Sequence, residues 1–280
     1  MKYIAYAKIN LYLNITGIRS DGYHTLDMIM QEVDLADILT IRPSETLSVE
    51  CEGVPQEKNL AYRAAKAFFA ETGITGGAEI LIEKHIPAEA GMGGGSSDAA
   101  CVLHALNSIY AAGLSFDVLS KIGVKLGADI PFALHGGTCR AEGIGELLTP
   151  IKNNFPVHYL ILKPRSGVPT GDAFRLADSM PQDVPESRIL SCIRAVEKGD
   201  AELFAKTTFN ALTAPALTLC PQIGETLAFL ETAADCISAF MTGSGSACVG
   251  MFPDRAAAEA AAELAEKLFS EHQIILTKAH

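Results

Sequence analysis

The chain has 280 residues, of which 49% are hydrophobic, and it carries a formal net charge of −11. This length and apolar content suit one large domain or two of ordinary size, and they exclude a disordered chain. The negative charge and the lack of any basic run argue against nucleic-acid binding. Because the sequence has no run of about 18 apolar residues and no charged-then-apolar leader, we expect neither a membrane partner nor secretion.

The seven cysteines are scattered, and no two have the C-x-x-C spacing of a zinc or redox site. They indicate reduced, mostly buried thiols in a cytoplasmic protein. A strand pattern begins almost at Met1, so we expect no organelle-targeting extension. The sequence leaves the choice between monomer and homodimer open.

The first predicted element is a strand over residues 3–15. Apolar residues alternate along it from Tyr3 to Ile15, which predicts a strand with one buried side. Lys8 and Asn10 then project from the other face, roughly 7 Å apart. From this pattern alone, Lys8 is predicted to be a solvated lysine on an exposed face.

A turn is predicted at Ser20-Asp21-Gly22, before a second strand over residues 23–30. Tyr23 and His24 directly follow this turn, where side chains can overhang a cleft. A packing aromatic and a hydrogen-bonded strand histidine are equally compatible with the position. Strands over residues 38–42 and 47–51, a helix over residues 59–72 closed by Gly73, and a strand over residues 78–86 come next.

A glycine-rich loop, Glu89-Ala-Gly-Met-Gly-Gly-Gly-Ser-Ser-Asp-Ala-Ala100, joins that strand to a helix predicted from Ser97 to Tyr110. Glycines let the backbone lie directly against a ligand, and the first N–H groups of a helix attract anions. Ser96 or Ser97 is predicted to cap the helix. No Walker lysine follows, and the alternative is a flexible turn with an ordinary serine cap. The composition favours a phosphate cradle.

A second polar position is Asp129, which lies between a predicted helix over residues 115–126 and Pro131. An aspartate among small and apolar residues is poorly solvated unless something pairs with it. It caps the next short helix, or it pairs with Lys8, which would hold the carboxylate ionised and set its direction. Sequence spacing does not choose between these two roles.

A Pro- and Asn-rich stretch near residue 152 predicts a boundary between domains over residues 1–152 and 153–280. The second domain is predicted to contain a strand over residues 157–162, helices over residues 173–177, 186–197, 200–207, 221–233 and 255–271, and an edge strand over residues 274–278. Thr242-Gly-Ser-Gly-Ser246 turns between two further strands. It is a plain hairpin, or it closes over the ligand of the glycine loop. This order of elements indicates an α+β or α/β protein.

Three stretches taken together resemble the GHMP kinase superfamily: Ala7-Lys-Ile-Asn-Leu11, Ala90-Gly-Met-Gly-Gly-Gly-Ser-Ser-Asp-Ala99 and Met241-Thr-Gly-Ser-Gly-Ser-Ala247. The resemblance implies an α+β, two-domain fold. Its N-terminal, ATP-binding domain would be ribosomal-protein-S5-like and its C-terminal domain ferredoxin-like. It further implies a kinase that uses ATP as co-substrate with Mg²⁺. Arg19-Ser-Asp-Gly-Tyr-His-Thr-Leu26 and Gly127-Ala-Asp-Ile-Pro-Phe132 resemble the branch that phosphorylates a cytidyl-diphosphate methylerythritol in the non-mevalonate isoprenoid precursor pathway.

The resemblance also implies roles for individual residues. Asp129 would be the catalytic base and Lys8 its partner, with Asn10 beside them at the acceptor. Tyr23 would stack on the cytosine, His24 would hydrogen-bond to it, and Phe174 would close its other face. Ser97 is a candidate magnesium ligand. The residues that would hold the ATP phosphates are Pro87, Ala88, Glu89, Ala90, Gly91, Met92, Gly93, Gly94, Gly95, Ser96 and Ser97.

Two other functions stay open from the sequence. One is a different small-molecule kinase of the superfamily, of the mevalonate or homoserine type. Tyr23 and His24 argue against it, because those acceptors have no base to stack. The other is a nucleotide-binding regulator that has lost catalysis, which the presence of both Lys8 and Asp129 disfavours.

Overall fold

A computed structural model describes residues 1–180 and 184–280. The chain forms two compact units, each built from separate segments. The first comprises Met1–Lys8, Leu35–Ile86 and Gly93–Gly136, and the second comprises Ile9–Asp34, Pro87–Met92 and Gly137–His280. The predicted boundary at residue 152 falls within the last of these segments, and it stays a prediction about domain organisation. Among the described residues, no helix combines the length and apolarity needed to cross a membrane.

Short runs of strands and of helices follow one another along the chain. The strands are β1 (Lys2–Ile18), β2 (His24–Ser44), β3 (Ser48–Cys51), β4 (Gly77–Glu83), β5 (Thr138–Gly143), β6 (Leu147–Pro150), β7 (His158–Lys163), β8 (Phe209–Asn210), β9 (Ser238–Met241), β10 (Cys248–Phe252) and β11 (Gln273–Lys278). The helices are α1 (Leu60–Thr72), α2 (Gly94–Ile109), α3 (Phe116–Val124), α4 (Ile130–His135), α5 (Thr170–Ala177), α6 (Glu186–Lys198), α7 (Ala201–Thr207), α8 (Thr213–Leu219), α9 (Gln222–Thr232) and α10 (Arg255–Leu268).

In the first unit, strands in the order β3-β4-β2-β1 carry helices α1 to α4. The β2–β4 pair is antiparallel, from Ile38 opposite Glu83 to Ser44 opposite Gly77, and β3 runs parallel to β4. Helix α1 begins at Asn59, whose side chain accepts a hydrogen bond from the Ala61 N–H at 2.8 Å. It ends at Gly73 in the left-handed conformation, as the sequence predicts. Apolar side chains between helices and strands form this unit's core.

The second unit contains two groups of strands. The inner part of β1 pairs in parallel with β8, and β2 pairs antiparallel with β5, which forms a hairpin with β6. The other group is a four-stranded antiparallel sheet in the order β11-β7-β10-β9, on which α9 and α10 pack. The inner strands β7 and β10 are the first and third of this sheet in the sequence, and the outer strands β9 and β11 are the second and the last. This order is that of the ferredoxin-like β-α-β-β-α-β arrangement. The predicted α+β class and ferredoxin-like half are therefore confirmed.

The structure corrects several local predictions. Strand β1 is buried on both faces from Ala7 to Leu13, so the prediction of one buried side is wrong over this stretch. The strands predicted at residues 23–30 and 38–42 are parts of one long strand, β2. Strands β5, β6 and β8 and helix α8 were not predicted. These elements are short, and tertiary contacts rather than a sequence period stabilise them.

Candidate active site

The buried ammonium of Lys8 and the carboxylate of Asp129 lie together in the first unit. Lys8 Nζ is 3.5 Å from Asp129 Oδ2, and the two side chains are 7% and 32% exposed. The prediction that Lys8 is a solvated lysine is therefore wrong, and the pairing with Asp129 is confirmed. The Lys8 side chain is therefore buried, whereas the Asp129 carboxylate is accessible to solvent.

Local structure explains the position of Asp129. Gly127 N–H donates to the carbonyl of Gly123 at 3.0 Å, which closes the end of α3, and Asp129 then stands at the N-cap of α4. Its side chain makes no capping hydrogen bond, although its carbonyl accepts from Ala133 N–H at 3.0 Å. Pro131 occupies the first turn of α4, where its missing N–H costs nothing. The Asp129 carboxylate therefore lies beside the start of α4 without making a capping hydrogen bond.

The second part of the glycine loop touches this pair. Gly93 has φ of +71°, and a Cβ placed there would lie 3.2 Å from Lys8 Cε and 3.5 Å from Asp129 Oδ2. Gly93 is also the N-cap of α2, so the prediction that Ser96 or Ser97 caps the helix is wrong. Both serines lie inside the first turn, where Ser97 Oγ donates back to the Gly93 carbonyl at 3.2 Å. The bare backbone at Gly93 lets the lysine and the carboxylate approach the helix start.

The first part of the loop packs on the Thr242–Ser246 turn in the second unit. Thr242 Oγ1 donates to the Gly91 carbonyl at 3.4 Å, and Ser246 N–H donates to the Glu89 carbonyl at 3.2 Å. A Cβ at Gly91 would collide with the carbonyl of Thr242. The turn is therefore not a plain hairpin, because it supports the glycine loop. Whether it closes over a ligand stays a prediction.

Two asparagines hold the same turn. The backbone N–H of Asn10 donates to Thr242 Oγ1 at 2.9 Å, and the side chain of Asn10 donates to Met28 Sδ at 3.5 Å. Asn210 Nδ2 donates to the carbonyls of Met241 and Gly243 at 2.8 and 2.9 Å. Sequence reasoning missed Asn210. Its only signal was a polar residue in an apolar context, and nothing in the spacing linked it to the turn.

The aromatic residues predicted for the acceptor lie in the second unit. The rings of His24 and Phe174 stack with centroids 4.8 Å apart and an interplanar angle of 28°. His24 Nε2 is 2.7 Å from Asp178 Oδ1. Tyr23 follows the predicted turn and is 60% exposed. The structure thus brings His24 and Phe174 together and leaves Tyr23 open to solvent.

Ser97, the predicted magnesium ligand, is buried, at 4% exposure. Ser97 lies in the first turn of α2, and its hydroxyl keeps lone pairs for a cation when it donates to Gly93. The described part of the chain contains no group of three His, Cys, Asp or Glu side chains placed to hold an ion. Magnesium is commonly held by one or two carboxylates together with substrate phosphates, and Ser97 supplies a hydroxyl oxygen rather than a carboxylate.

A cluster of three charged residues, Asp37, Lys84 and Asp98, lies next to the glycine loop and was not predicted. Lys84 Nζ donates to Asp37 Oδ2 and, at 2.7 Å, to Asp98 Oδ2. Burial raises the pKa of Asp98, and the nearby charge of Asp37 adds to the rise while Lys84 opposes it. Burial lowers the pKa of Lys84, but the charge of Asp98 and the hydrogen bonds to both carboxylates outweigh it and the net direction is upward. The cluster therefore keeps its lysine charged.

Comparisons with known proteins agree with this architecture. The family description "GHMP kinases N terminal domain" matches residues 59–137, and "GHMP kinases C terminal" matches residues 192–270. A 4-diphosphocytidyl-2-C-methyl-D-erythritol kinase of Clostridium tetani (strain Massachusetts / E88) is 40% identical over 264 residues, covering 92% of this chain and 93% of that protein. The enzyme of the same name from Deinococcus radiodurans is 40% identical over 266 residues, covering 93% and 87%.

Solved structures give the same result. A crystal structure of 4-(cytidine 5'-diphospho)-2C-methyl-D-erythritol kinase is 34% identical and superimposes with a TM-score of 0.82 over 100% of both chains. A homoserine kinase from Cytophaga hutchinsonii shares the fold at 15% identity and a TM-score of 0.76, over 99% of this chain and 95% of that one. The chain is a kinase of the GHMP family, and within it the chain belongs to the 4-diphosphocytidyl-2-C-methyl-D-erythritol kinases.

Proposed function

We propose that this kinase transfers the γ-phosphoryl group of ATP to the 2-hydroxyl of 4-diphosphocytidyl-2-C-methyl-D-erythritol, in the non-mevalonate route to isoprenoid precursors. The observation that carries the proposal is the pairing of Lys8 with an accessible Asp129 beside Gly93, in a chain 40% identical to enzymes of that name. The net charge of −11 and the free cysteines support a cytoplasmic enzyme that acts on small molecules rather than nucleic acid.

Asp129 acts as the base. Its carboxylate accepts the proton of the acceptor hydroxyl as that oxygen forms a bond to the γ-phosphorus, while the bond from that phosphorus to the β-γ bridging oxygen breaks and ADP leaves. Lys8, 3.5 Å away, orients the carboxylate and offers positive charge to the transferring group. Because phosphoryl transfer needs alignment and charge stabilisation more than covalent catalysis, these two side chains supply the base and part of the positive charge.

The glycine loop holds the phosphates of ATP. Positive φ at Gly91 and Gly93 turns the backbone where side chains would clash, and the free N–H groups at the start of the 16-residue helix α2 stabilise negative charge. This arrangement replaces the missing Walker lysine. Ser97 would hold magnesium, which supplies charge neutralisation to the phosphates when bound.

The acceptor's base is bound by Tyr23, His24 and Phe174. The exposed Tyr23 ring offers a face for stacking, and the His24–Phe174 stack supports an aromatic site for a planar base. Tyr23→Ala should therefore raise the KM for the cytidyl substrate while leaving the KM for ATP unchanged. Equal changes in both constants would contradict this assignment.

The test of the function is an ADP-release assay with ATP and magnesium. The acceptors 4-diphosphocytidyl-2-C-methyl-D-erythritol, mevalonate, homoserine and galactose are offered separately. Turnover confined to the cytidyl substrate is expected. Turnover with another acceptor would keep the Lys8–Asp129 chemistry and reject the base site, and ATP binding without turnover would favour a regulator.

A further inference from the structure

Asp37 is a charged residue that the proposed mechanism does not use, although it lies at the root of the glycine loop. Its side chain is fully buried, at 0% exposure, near the middle of β2. Asp37 Oδ1 accepts hydrogen bonds from the backbone N–H groups of His85 and Ile86 at 2.5 and 2.8 Å. These two residues lead from β4 into the loop. One carboxylate oxygen therefore fixes the backbone at which the loop begins.

The other oxygen of Asp37 extends the connection to the helix that ends the loop. Asp37 Oδ2 accepts from Lys84 Nζ, and the same ammonium donates to Asp98 Oδ2 at 2.7 Å. Asp98 stands in the second turn of α2 and is 4% exposed. A Cβ at Gly94 would lie 3.3 Å from Lys84 Nζ, so the ammonium packs directly against the first residue of the helix. The chain Asp37–Lys84–Asp98 thus joins the start of the loop to α2.

Burying these charged groups costs folding free energy, so a gain in stability does not explain why the cluster is present. Two buried carboxylates share one ammonium, and Asp98 Oδ1 has no hydrogen-bond partner among the described residues. Buried ionic groups of this kind are often no more stable than apolar side chains of the same size, and they constrain geometry instead. The geometry constrained here is that of the backbone N–H groups at the start of α2.

We propose that Asp37 is a positioning residue for ATP, which acts through Lys84 and Asp98 to hold the two ends of the glycine loop in the conformation that binds phosphates. This deepens the proposed function, because it rests on the loop as the phosphate site. Asp37 itself touches no substrate. It sets the affinity for ATP rather than the rate of the transfer step, which belongs to Lys8 and Asp129.

The test measures ATP binding without any acceptor, by calorimetric titration with Mg-ATP, so that it does not depend on the identity of the acceptor. Asp37→Asn keeps the shape of the side chain but loses the charge that holds Lys84. We expect its Kd for Mg-ATP to rise about tenfold, the low end of the effect seen for residues that orient the ligands of metal sites. In the coupled assay, KM for ATP should rise and kcat at saturating ATP should stay near the wild-type value.

Asp27→Asn is the matched control. Asp27 is also buried and charged, and its two oxygens accept from Arg140 at 2.9 and 2.8 Å in the second unit. This variant loses a comparable buried ion pair, so it should lose stability without losing ATP affinity. Circular dichroism at the titration temperature verifies that each variant is folded. If Asp37→Asn does not fold, Asp98→Asn gives the same test from the other end of the chain of bonds.

Two outcomes would overturn the proposal. A folded Asp37→Asn or Asp98→Asn with the wild-type Kd would show that the charges have no role in binding. A rise in Kd for Lys84→Met alone would show that the lysine acts without its buried partners. If the wild type binds Mg-ATP but never phosphorylates the cytidyl substrate, the proposed function fails while this inference stands.

Discussion

Lys8 and Lys84 are two lysines of the first unit with opposite surroundings. Lys8 lies 3.5 Å from one carboxylate that is 32% exposed. Lys84 contacts two carboxylates that are 0% and 4% exposed. The Lys8 pair is loose and leaves its carboxylate accessible, whereas Lys84, itself 29% exposed, holds two buried carboxylates tightly. A carboxylate that accepts a proton from a substrate hydroxyl must keep an oxygen available for that hydroxyl. A carboxylate that only positions the backbone can make all its hydrogen bonds within the protein.

The difference also divides the energetic roles of the two lysines. Removing one partner of a buried ion pair strands the other charge in the interior, which costs stability. An accessible carboxylate is rehydrated when its lysine is removed, so the cost to folding is smaller. We therefore expect substitutions at Asp129 to act on turnover and substitutions at Lys84 to act on folding and ATP affinity.

The largest expected effect is on turnover in Asp129→Asn. The amide cannot accept the hydroxyl proton, so kcat should fall about a thousandfold, within the range for a lost general base. ATP affinity and the denaturation midpoint should stay close to wild type, because the side chain makes no capping hydrogen bond. Steady-state kinetics and calorimetry measure both. An unchanged kcat would remove Asp129 as the base and with it the distinction between the two lysines.

The next effect is on stability in Lys84→Met. Stranding Asp37 and Asp98 should lower the free energy of unfolding by about 3–5 kcal/mol, the range for a broken buried pair. Urea denaturation followed by circular dichroism gives this value. Lys8→Met is the paired measurement and should cost less, because Asp129 is accessible. Equal losses in the two variants would mean that exposure of the partner does not separate them.

A smaller effect is expected in Gly93→Ala, which tests how closely the loop approaches the open pair. Positive φ costs an alanine roughly 1 kcal/mol of stability. The added methyl group would also press on Lys8 and Asp129 at 3.2 and 3.5 Å. We expect kcat to fall by about tenfold or more through this displacement. Gly113→Ala is the control, since φ there is +65° and no atom lies within 4 Å of the added Cβ. It should share the strain but keep wild-type kcat.

The smallest effect concerns a surface ion pair, which gives a baseline for the ion pairs of Lys8 and Lys84. Asp34 Oδ1 is 2.6 Å from His280 Nδ1, and Lys278 is also nearby. The hydrogen bond with His280 lowers the pKa of Asp34 below its ordinary value. A carboxyl group whose pKa is lowered by folding stabilises the folded state at pH values above its unfolded pKa. This stabilisation is lost as the pH falls through the pKa that the group has in the folded state.

Asp34→Asn should therefore be less stable than wild type at pH 6 by no more than about 1 kcal/mol, as for other exposed pairs. The difference should vanish as the solution is acidified through and below the ordinary aspartate pKa of about 3.9. Urea midpoints of both proteins at several pH values measure this. A difference that persists in strong acid would mean that the side chain acts through packing rather than charge.

Much of the fold could be predicted from local sequence. The period-2 pattern predicts β1, and Asn59 and Gly73 mark the ends of α1 because capping and left-handed conformations favour those residues. The cap of α2 could not be predicted correctly. Serine is the usual choice, but the approach of Lys8 and Asp129 requires a residue without a side chain, and Gly93 occupies the position.

By itself, the sequence determined the glycine loop, its place between a strand and a helix, and most of the longer helices and strands in both halves, because these depend on neighbours along the chain. Only the tertiary structure decided that Lys8 meets Asp129, that Asn210 holds the Thr242–Ser246 turn, and that Asp37 and Asp98 share Lys84. Each of these contacts joins residues far apart in the sequence. Burial there strengthens charge interactions that a strand or helix pattern does not encode.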